Sequence, residues 1–526
     1  MKNTIKYMAL VALGLVACEP EFDNSVEENE GFYTNGEADF SNYVALGNSL
    51  TAGFADNALY IQGQENSYPN ILAQQFSHVG GGEFTQPLMN DNLGGLLLGG
   101  NQIQGTRLIL DVGASGEPAP TNIPGTPTTE ITNTLSGPFN NMGVPGAKSF
   151  HLIAGGYGNA AGVPLGQANP YFVRFRSSEN ATVLEDAVAQ NPTFFSLWIG
   201  NNDVLSFATS GGVGVDQAGN FDPSTYGSSD ITDPNVFGQV FSNQVNALMQ
   251  SASAGVVLNI PSVTDTPFFT TVPFNPLSPA LLGDQLATLN ATYAQLNQAF
   301  AFLGVPERSI QFSTDGASGV VVRDESLTDI SAQLTQVLIG AGFDAQTATI
   351  YGMQYGQARQ ANESDLLLLT SSSVIGTVNT DRVQQLVGAG VPPEAAGQLA
   401  INGITFPMED QYVLTPSEQQ MISTATTAFN ATIENVAQVN GLAYVDANAL
   451  LNQVADGGIV FDGGMVTSEF ATGGAFSLDG IHLTPRGYAI VANRIIEAVN
   501  STYNSTVPMV NVGDYNGGPA IGSGAQ

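Results

Sequence analysis

Four short segments of this 526-residue chain carry side chains whose types and spacing suit the transfer of a proton to and from a serine. Asp479 and His482 stand three apart in Asp479-Gly480-Ile481-His482-Leu483-Thr484-Pro485, just ahead of a capped helix. That spacing can set a carboxylate against one imidazole nitrogen and leave the other to take a proton from a hydroxyl. The histidines are His78, His151 and His482, and of these only His482 has a carboxylate so close upstream. Ser49 lies in Gly47-Asn48-Ser49-Leu50-Thr51-Ala52-Gly53. There a strand turns into a helix, and a hydroxyl stands near free N–H groups and the positive end of a helix dipole. Thr51 occupies the place of the second glycine in the G-x-S-x-G elbow, so that motif is not present. Asn141-Met142-Gly143-Val144-Pro145-Gly146-Ala147 is a loop whose glycines let a backbone N–H approach a ligand. Gly200-Asn201-Asn202-Asp203 follows a strand, and an Asn amide there can donate to a developing oxyanion. Taken singly, each segment also reads as something plainer: a helix cap, a Pro-Gly turn, an Asn/Asp turn, a surface Asp-Gly turn.

These segments need a frame, and the surrounding pattern supplies one. Tyr43–Leu46, Phe194–Ile199, Val256–Ile260 and Leu442–Val445 are short apolar runs that stop at Gly47, Gly200, Pro261 and Asp446. Runs of this kind fit strands buried on both faces of a parallel sheet. Thr415-Pro416-Ser417-Glu418 is a capping box with Pro at the first helical position, and Ile422, Ala425, Phe429, Ile433 and Val436 follow on one face. Thr484-Pro485 opens a second helix carrying Tyr488, Val491, Ile495 and Val499. Strand–helix alternation predicts an α/β fold, a three-layer sandwich around a parallel sheet. Ligands sit beyond the carboxyl ends of such strands, and two of the chemical segments begin where a strand ends.

Order and context together resemble the SGNH (GDSL-like) hydrolase family, named for the Ser, Gly, Asn and His of its four blocks. The resemblance covers the motifs and their strand–helix frame, about half of the chain. It implies a flavodoxin-like sandwich with Ser49 as nucleophile, His482 as general base and then acid, and Asp479 orienting it. It further implies an oxyanion hole made by the backbone N–H groups of Ser49 and Gly146 and the Asn202 amide. Gly146 fits the family glycine because it follows Asn141 by five residues. The family's usual Asp before the nucleophile is Asn48 here, which puts the tuning of the loop in doubt more than activity. The implied reaction is cleavage of carboxylic esters through an acyl-enzyme, by an esterase, a lipase or a glycan deacetylase, with no cofactor. An acyltransferase on the same frame and a non-catalytic glycan- or lipid-binding lipoprotein are the rival readings.

Composition narrows the partners. Twelve Lys+Arg against 46 Asp+Glu give a formal charge of -34, which repels nucleic acid and fits salty surroundings. The sole cysteine and three scattered histidines offer no zinc spacing, whereas carboxylate-bound calcium stays open on so acidic a surface. Lys2 and Lys6 precede an apolar run from Met8 to Val16 that is too short to span a bilayer as a finished helix. It leads through Leu15-Val16-Ala17 into Cys18, and this resembles the lipobox of bacterial lipoproteins, in which the thiol is lipidated. The acidic stretch after Cys18 resembles the export signal of Bacteroidetes surface lipoproteins. A lipid anchor in the outer membrane is therefore expected, with the cell surface preferred and the periplasmic face open. The expected organisation is a signal peptide at 1–17, an acidic tether at 18–40, and one hydrolase domain at 41–507. Insertions fall at about 55–138, 208–235 and 263–414, the last a candidate lid or groove wall that leaves lipid and glycan esters equally open. Helices are expected near 284–303 and 326–341, and the Gly-rich residues 508–526 are expected to be loose.

Overall fold

The computed structural model describes residues 31–112, 116, 118–461 and 463–522. The expected signal peptide, Cys18 and most of the tether lie outside the described residues. Five strands form one parallel sheet: β1 Tyr43–Gly47, β2 Asn141–Gly143, β3 Phe194–Trp198, β4 Ala254–Leu258 and β5 Ala443–Val445. Their order across the sheet is β2-β1-β3-β4-β5, that of a doubly wound sheet whose switch point lies between β1 and β3. Four of these strands are the apolar runs foreseen from sequence, shifted by one or two residues. The exception is β2, which is only three residues long and ends in Gly143; it resembles a turn until it pairs with Ala45–Gly47.

Alternate strand residues face opposite layers, as a pleated strand requires. Val44, Leu46, Phe195, Leu197 and Val257 pack under α4 (Pro234–Leu248) and α8 (Pro416–Asn440). Tyr43, Ala45, Phe194, Val256 and Ala443 pack under α2 (Tyr68–Ser77) and α9 (Pro485–Tyr503). The three-layer expectation follows from these two apolar clusters. Both helix starts read from sequence are present. Thr415 donates its N–H to the Glu418 carboxylate (2.6 Å), and the Thr484 hydroxyl accepts from Gly487 N (3.1 Å).

The 263–414 segment builds a core of its own. Tyr293, Leu296 and Phe300 of α5 (Leu286–Phe302) meet Leu334 and Leu338 of α6 (Ser331–Gly340) and Tyr355 of α7 (Ala345–Tyr355). The start of α6 is later than 326: the helix begins at Ser331, whose N–H is taken by the Asp329 carboxylate (2.8 Å) in the turn just before it. Leu366–Leu367 pairs antiparallel with Val413–Leu414 at the segment's own end, immediately before α8, and the neighbouring Leu368 and Leu414 join the apolar cluster of the sheet layer.

Residues 508–522 are not loose. The Asn493 side chain both donates to Val510 O and accepts from Val510 N (2.9 Å each). Arg486 donates from its backbone and its Nε to Asn516 O and Tyr515 O, and Leu110 exchanges hydrogen bonds with Ala520 and Gly522. Glycine allows this close run: a Cβ on Gly517 would stand 2.8 Å from the Arg486 guanidinium. Among the described residues no helix is long and apolar enough to cross a membrane.

Candidate functional site

At the carboxyl end of β1 the chain turns directly into a single helical turn, α1 (Ser49–Ala52). Asn48 caps it: its Oδ1 accepts from Leu50 N (3.0 Å), and its Nδ2 donates to Asn201 Oδ1 (2.9 Å) in the loop after β3. The amide therefore joins two chemical segments, a link that needs one donor and one acceptor between the two side chains. Ser49 is 7% exposed. Its Oγ lies 2.8 Å from His482 Nε2, and His482 Nδ1 lies 2.9 Å from Asp479 Oδ2. The Asp479 carboxylate offers only acceptors there, so Nδ1 carries the imidazole proton and Nε2 faces the hydroxyl with its lone pair.

Asp479 is held from several sides. Its Oδ1 accepts from Ile481 N (2.9 Å) and His482 N (2.8 Å), and its Oδ2 also accepts from Asn57 N (2.9 Å). Burial by itself would raise the carboxyl, but the neighbouring imidazole and the His482 and Ile481 N–H donors hold it well below the usual carboxylate range. Phe54 lies against His482 with ring centroids 4.6 Å apart. Asp56 braces the loop before Asp479: its carboxylate accepts from Leu478 N (3.1 Å) and Tyr60 OH (2.9 Å), and its N–H donates to Ser477 Oγ (2.9 Å). Asp56 and Asn57 both have positive φ (51° and 63°), a conformation that Asp and Asn tolerate better than most residues.

The expected oxyanion donors sit at the ends of three adjacent strands, β1, β2 and β3. Gly146 has φ 79°, and its turn is supported by Asn169, whose Nδ2 donates to Pro145 O (2.7 Å). Asn202 opens α3 (Asn202–Thr209) and donates one Nδ2 hydrogen to Ala147 O (2.9 Å), which leaves the other for a ligand. Among the described residues neither Ser49 N nor Gly146 N has an intramolecular acceptor. Asp203, fully buried, clamps the Gly146 segment by accepting from Ser149 N (2.8 Å) and Ser149 Oγ (2.7 Å). Lys148 is buried beside it and donates to Asp230 O (2.6 Å). Burial pulls the Lys148 ammonium below its ordinary value, against the attraction of Asp203 and Asp230.

The structure thus brings Ser49, His482 and Asp479 into one hydrogen-bonded chain and groups the segments holding Gly146 and Asn202 beside it. Such a chain can remove the serine proton and return it to a leaving group. The bracing residues Phe54, Asp56, Asn57 and Asn169 escaped the sequence reading. Only the Asp56-Asn57 pair, residues that accept positive φ a few positions after the serine, carried a local hint. His151 is structural: its Nδ1 accepts from Lys148 N (3.1 Å), and burial lowers it to about 4. Among the described residues Glu325, Asp410 and Glu418 form one group of carboxylates close enough to share a cation, with oxygens within 4.8 Å. It lies where Val321–Arg323 approaches the start of α8, and none of Ser49, Asp479 and His482 belongs to it. No family model, curated protein or solved structure matches the chain.

Proposed function

We propose that this chain is a serine hydrolase of the SGNH kind that cleaves carboxylic esters. The observation that carries this reading is the Ser49 Oγ–His482 Nε2–Asp479 relay, with both links at hydrogen-bond length and the tautomer set by the carboxylate. Ser49 Oγ attacks the ester carbonyl while its proton passes to His482 Nε2. The tetrahedral oxyanion is met by the N–H groups of Ser49 and Gly146 and by the free hydrogen of the Asn202 amide. His482 then gives the proton to the departing alkoxide oxygen, leaving an acyl-Ser49. Water, activated by the same imidazole, releases the acid. The anchored location proposed with it, a lipidated Cys18 in the outer membrane, rests on the sequence alone.

Hydrolysis of short p-nitrophenyl esters by the chain lacking residues 1–18 tests the assignment. Ser49→Ala and His482→Ala should remove nearly all turnover. Asn202→Ala should lower kcat about 10²–10³-fold, the usual effect of one lost oxyanion donor. Unchanged turnover in Ser49→Ala would sink the reading.

A further inference from the structure

Between the 263–414 segment and the hairpin Leu108–Val112/Pro118–Asn122 lies a cavity of about 910 Å³ that reaches the proposed catalytic residues. Its walls are mostly apolar, with Phe268, Leu369 and Ile375 on one side and Leu108 and Pro120 on the other. Its size is that of a small-molecule site. The lining includes His482, Asp479 and Asn57 but none of Ser49, Gly146 or Asn202. The cavity therefore opens on the histidine side of the relay, away from the oxyanion donors. Apart from Asp479 and His482, the described residues of its lining carry no ionisable side chain, so among them no Lys or Arg stands to receive a phosphate or carboxylate.

Resting on the ester-hydrolase reading, we infer that this cavity holds the alcohol part of the substrate, and that this part is an uncharged, apolar chain or ring. The reason is the direction of proton transfer. As the bond from the carbonyl carbon to the alkoxide oxygen breaks, His482 Nε2 must reach that oxygen, so the alcohol leaves on the side where the cavity lies. The acyl part, bonded to Ser49, then points elsewhere. The 263–414 segment and the hairpin are in this account the walls of a leaving-group site. Selectivity runs along the alcohol and only weakly along the acid.

Two ester series separate the possibilities: acetates of methanol, butanol and octanol, and methyl esters of acetic, hexanoic and decanoic acid. Burial of a methylene predicts a rise of kcat/KM of about fourfold per added CH₂ over the first few carbons of the alcohol series. The acyl series should stay within about tenfold overall. Leu281 lines the same cavity and is 62% exposed, so Leu281→Asp perturbs the cavity with little risk to folding. It should flatten the alcohol series, lowering octyl acetate turnover at least tenfold more than methyl acetate turnover. A steep acyl series with a flat alcohol series would overturn the inference while leaving the hydrolase intact. Calorimetric binding of n-octanol to Ser49→Ala, weakened about tenfold by adding Leu281→Asp, is the second readout. Octanol binding without hydrolysis of any ester would sink the hydrolase reading and the leaving-group role with it, leaving an apolar binding cavity; ester hydrolysis without octanol binding would overturn the cavity assignment alone.

Discussion

Two glycines of the site sit in the left-handed region for different reasons, and substitution separates them. Gly480 has φ 72°, and a Cβ there would stand 2.9 Å from Phe268 N, whose N–H donates to Gly480 O (3.0 Å). Gly480→Ala therefore meets both backbone strain and the 263–414 segment, and it should displace the Asp479–His482 turn. We expect a loss of about 2–4 kcal/mol in denaturant unfolding and at least a tenfold fall in kcat. Gly146 has φ 79° with open space around it, the nearest atom to a Cβ being Asn169 Nδ2 at 4.0 Å. Gly146→Ala keeps the N–H and meets only the backbone term, about 1–2 kcal/mol, with most of kcat retained. Equal losses of activity in the two variants would refute this contrast. Asp479→Asn keeps the shape but offers Nδ1 a donor or a neutral acceptor. The tautomer is then no longer fixed, and kcat should fall about 10⁴-fold with KM little changed.

At the scale of elements, the site depends on where α1 and α9 begin. One turn of helix, α1, would not form alone; Asn48 holds its start, and the same amide reaches Asn201 across the switch point. The turn of Asp479 and His482 is fixed by the start of α9. There Thr484 accepts from Gly487 N and its hydroxyl donates to Gly474 O (2.6 Å), while Tyr488 OH donates to Phe54 O (2.7 Å) behind the serine loop. Thr484→Ala should cost about 1–2 kcal/mol for the cap and leave a buried carbonyl without its donor. Chemical denaturation gives the first quantity. A parallel fall in kcat would tie the helix start to the alignment of His482, whereas Thr484→Ser should restore both.

For the whole molecule the charge of -34 is the governing fact. Mutual repulsion opposes compaction and is screened by salt, so Tm should climb as ionic strength rises from about 0.01 to 0.5 M. One acidic group makes this pH-dependent. Burial, then Glu325 and Glu418, push Asp410 up to about 8, and burial pushes Glu418 up to about 7 despite its bonds from Thr415. Arg323 lies close enough to oppose the shift of Asp410, and Asp324 adds to that of Glu418. Because these folded-state values lie above the unfolded ones, their contribution is most favourable below about pH 4 and is lost as pH rises towards 8. Asp410→Asn should raise Tm at pH 8 by about 2–4 °C and leave it nearly unchanged at pH 4. A Tm gain at pH 4 as large as that at pH 8 would contradict this account.

The sequence by itself determined the sheet layers, because a strand buried on both faces must be a continuous apolar run. It also marked the helix starts at Thr415 and Thr484, because an N-cap is a local hydrogen bond. Ser49, Asp479 and His482 were legible as candidates for the same reason, each standing at such a local boundary. Tertiary structure alone decided that Ser49 and His482 meet at 2.8 Å across 433 residues of chain, and that Asn57 N–H completes the Asp479 carboxylate. It also decided that β2 is a strand, since three residues have no pattern until β1 lies beside them, and that the Gly-rich tail is docked on Arg486, Asn493 and Leu110. The cavity beside His482 was least legible of all. Its walls come from segments scattered from Asn57 to His482, and apolar residues in an insertion announce burial without naming what they will face.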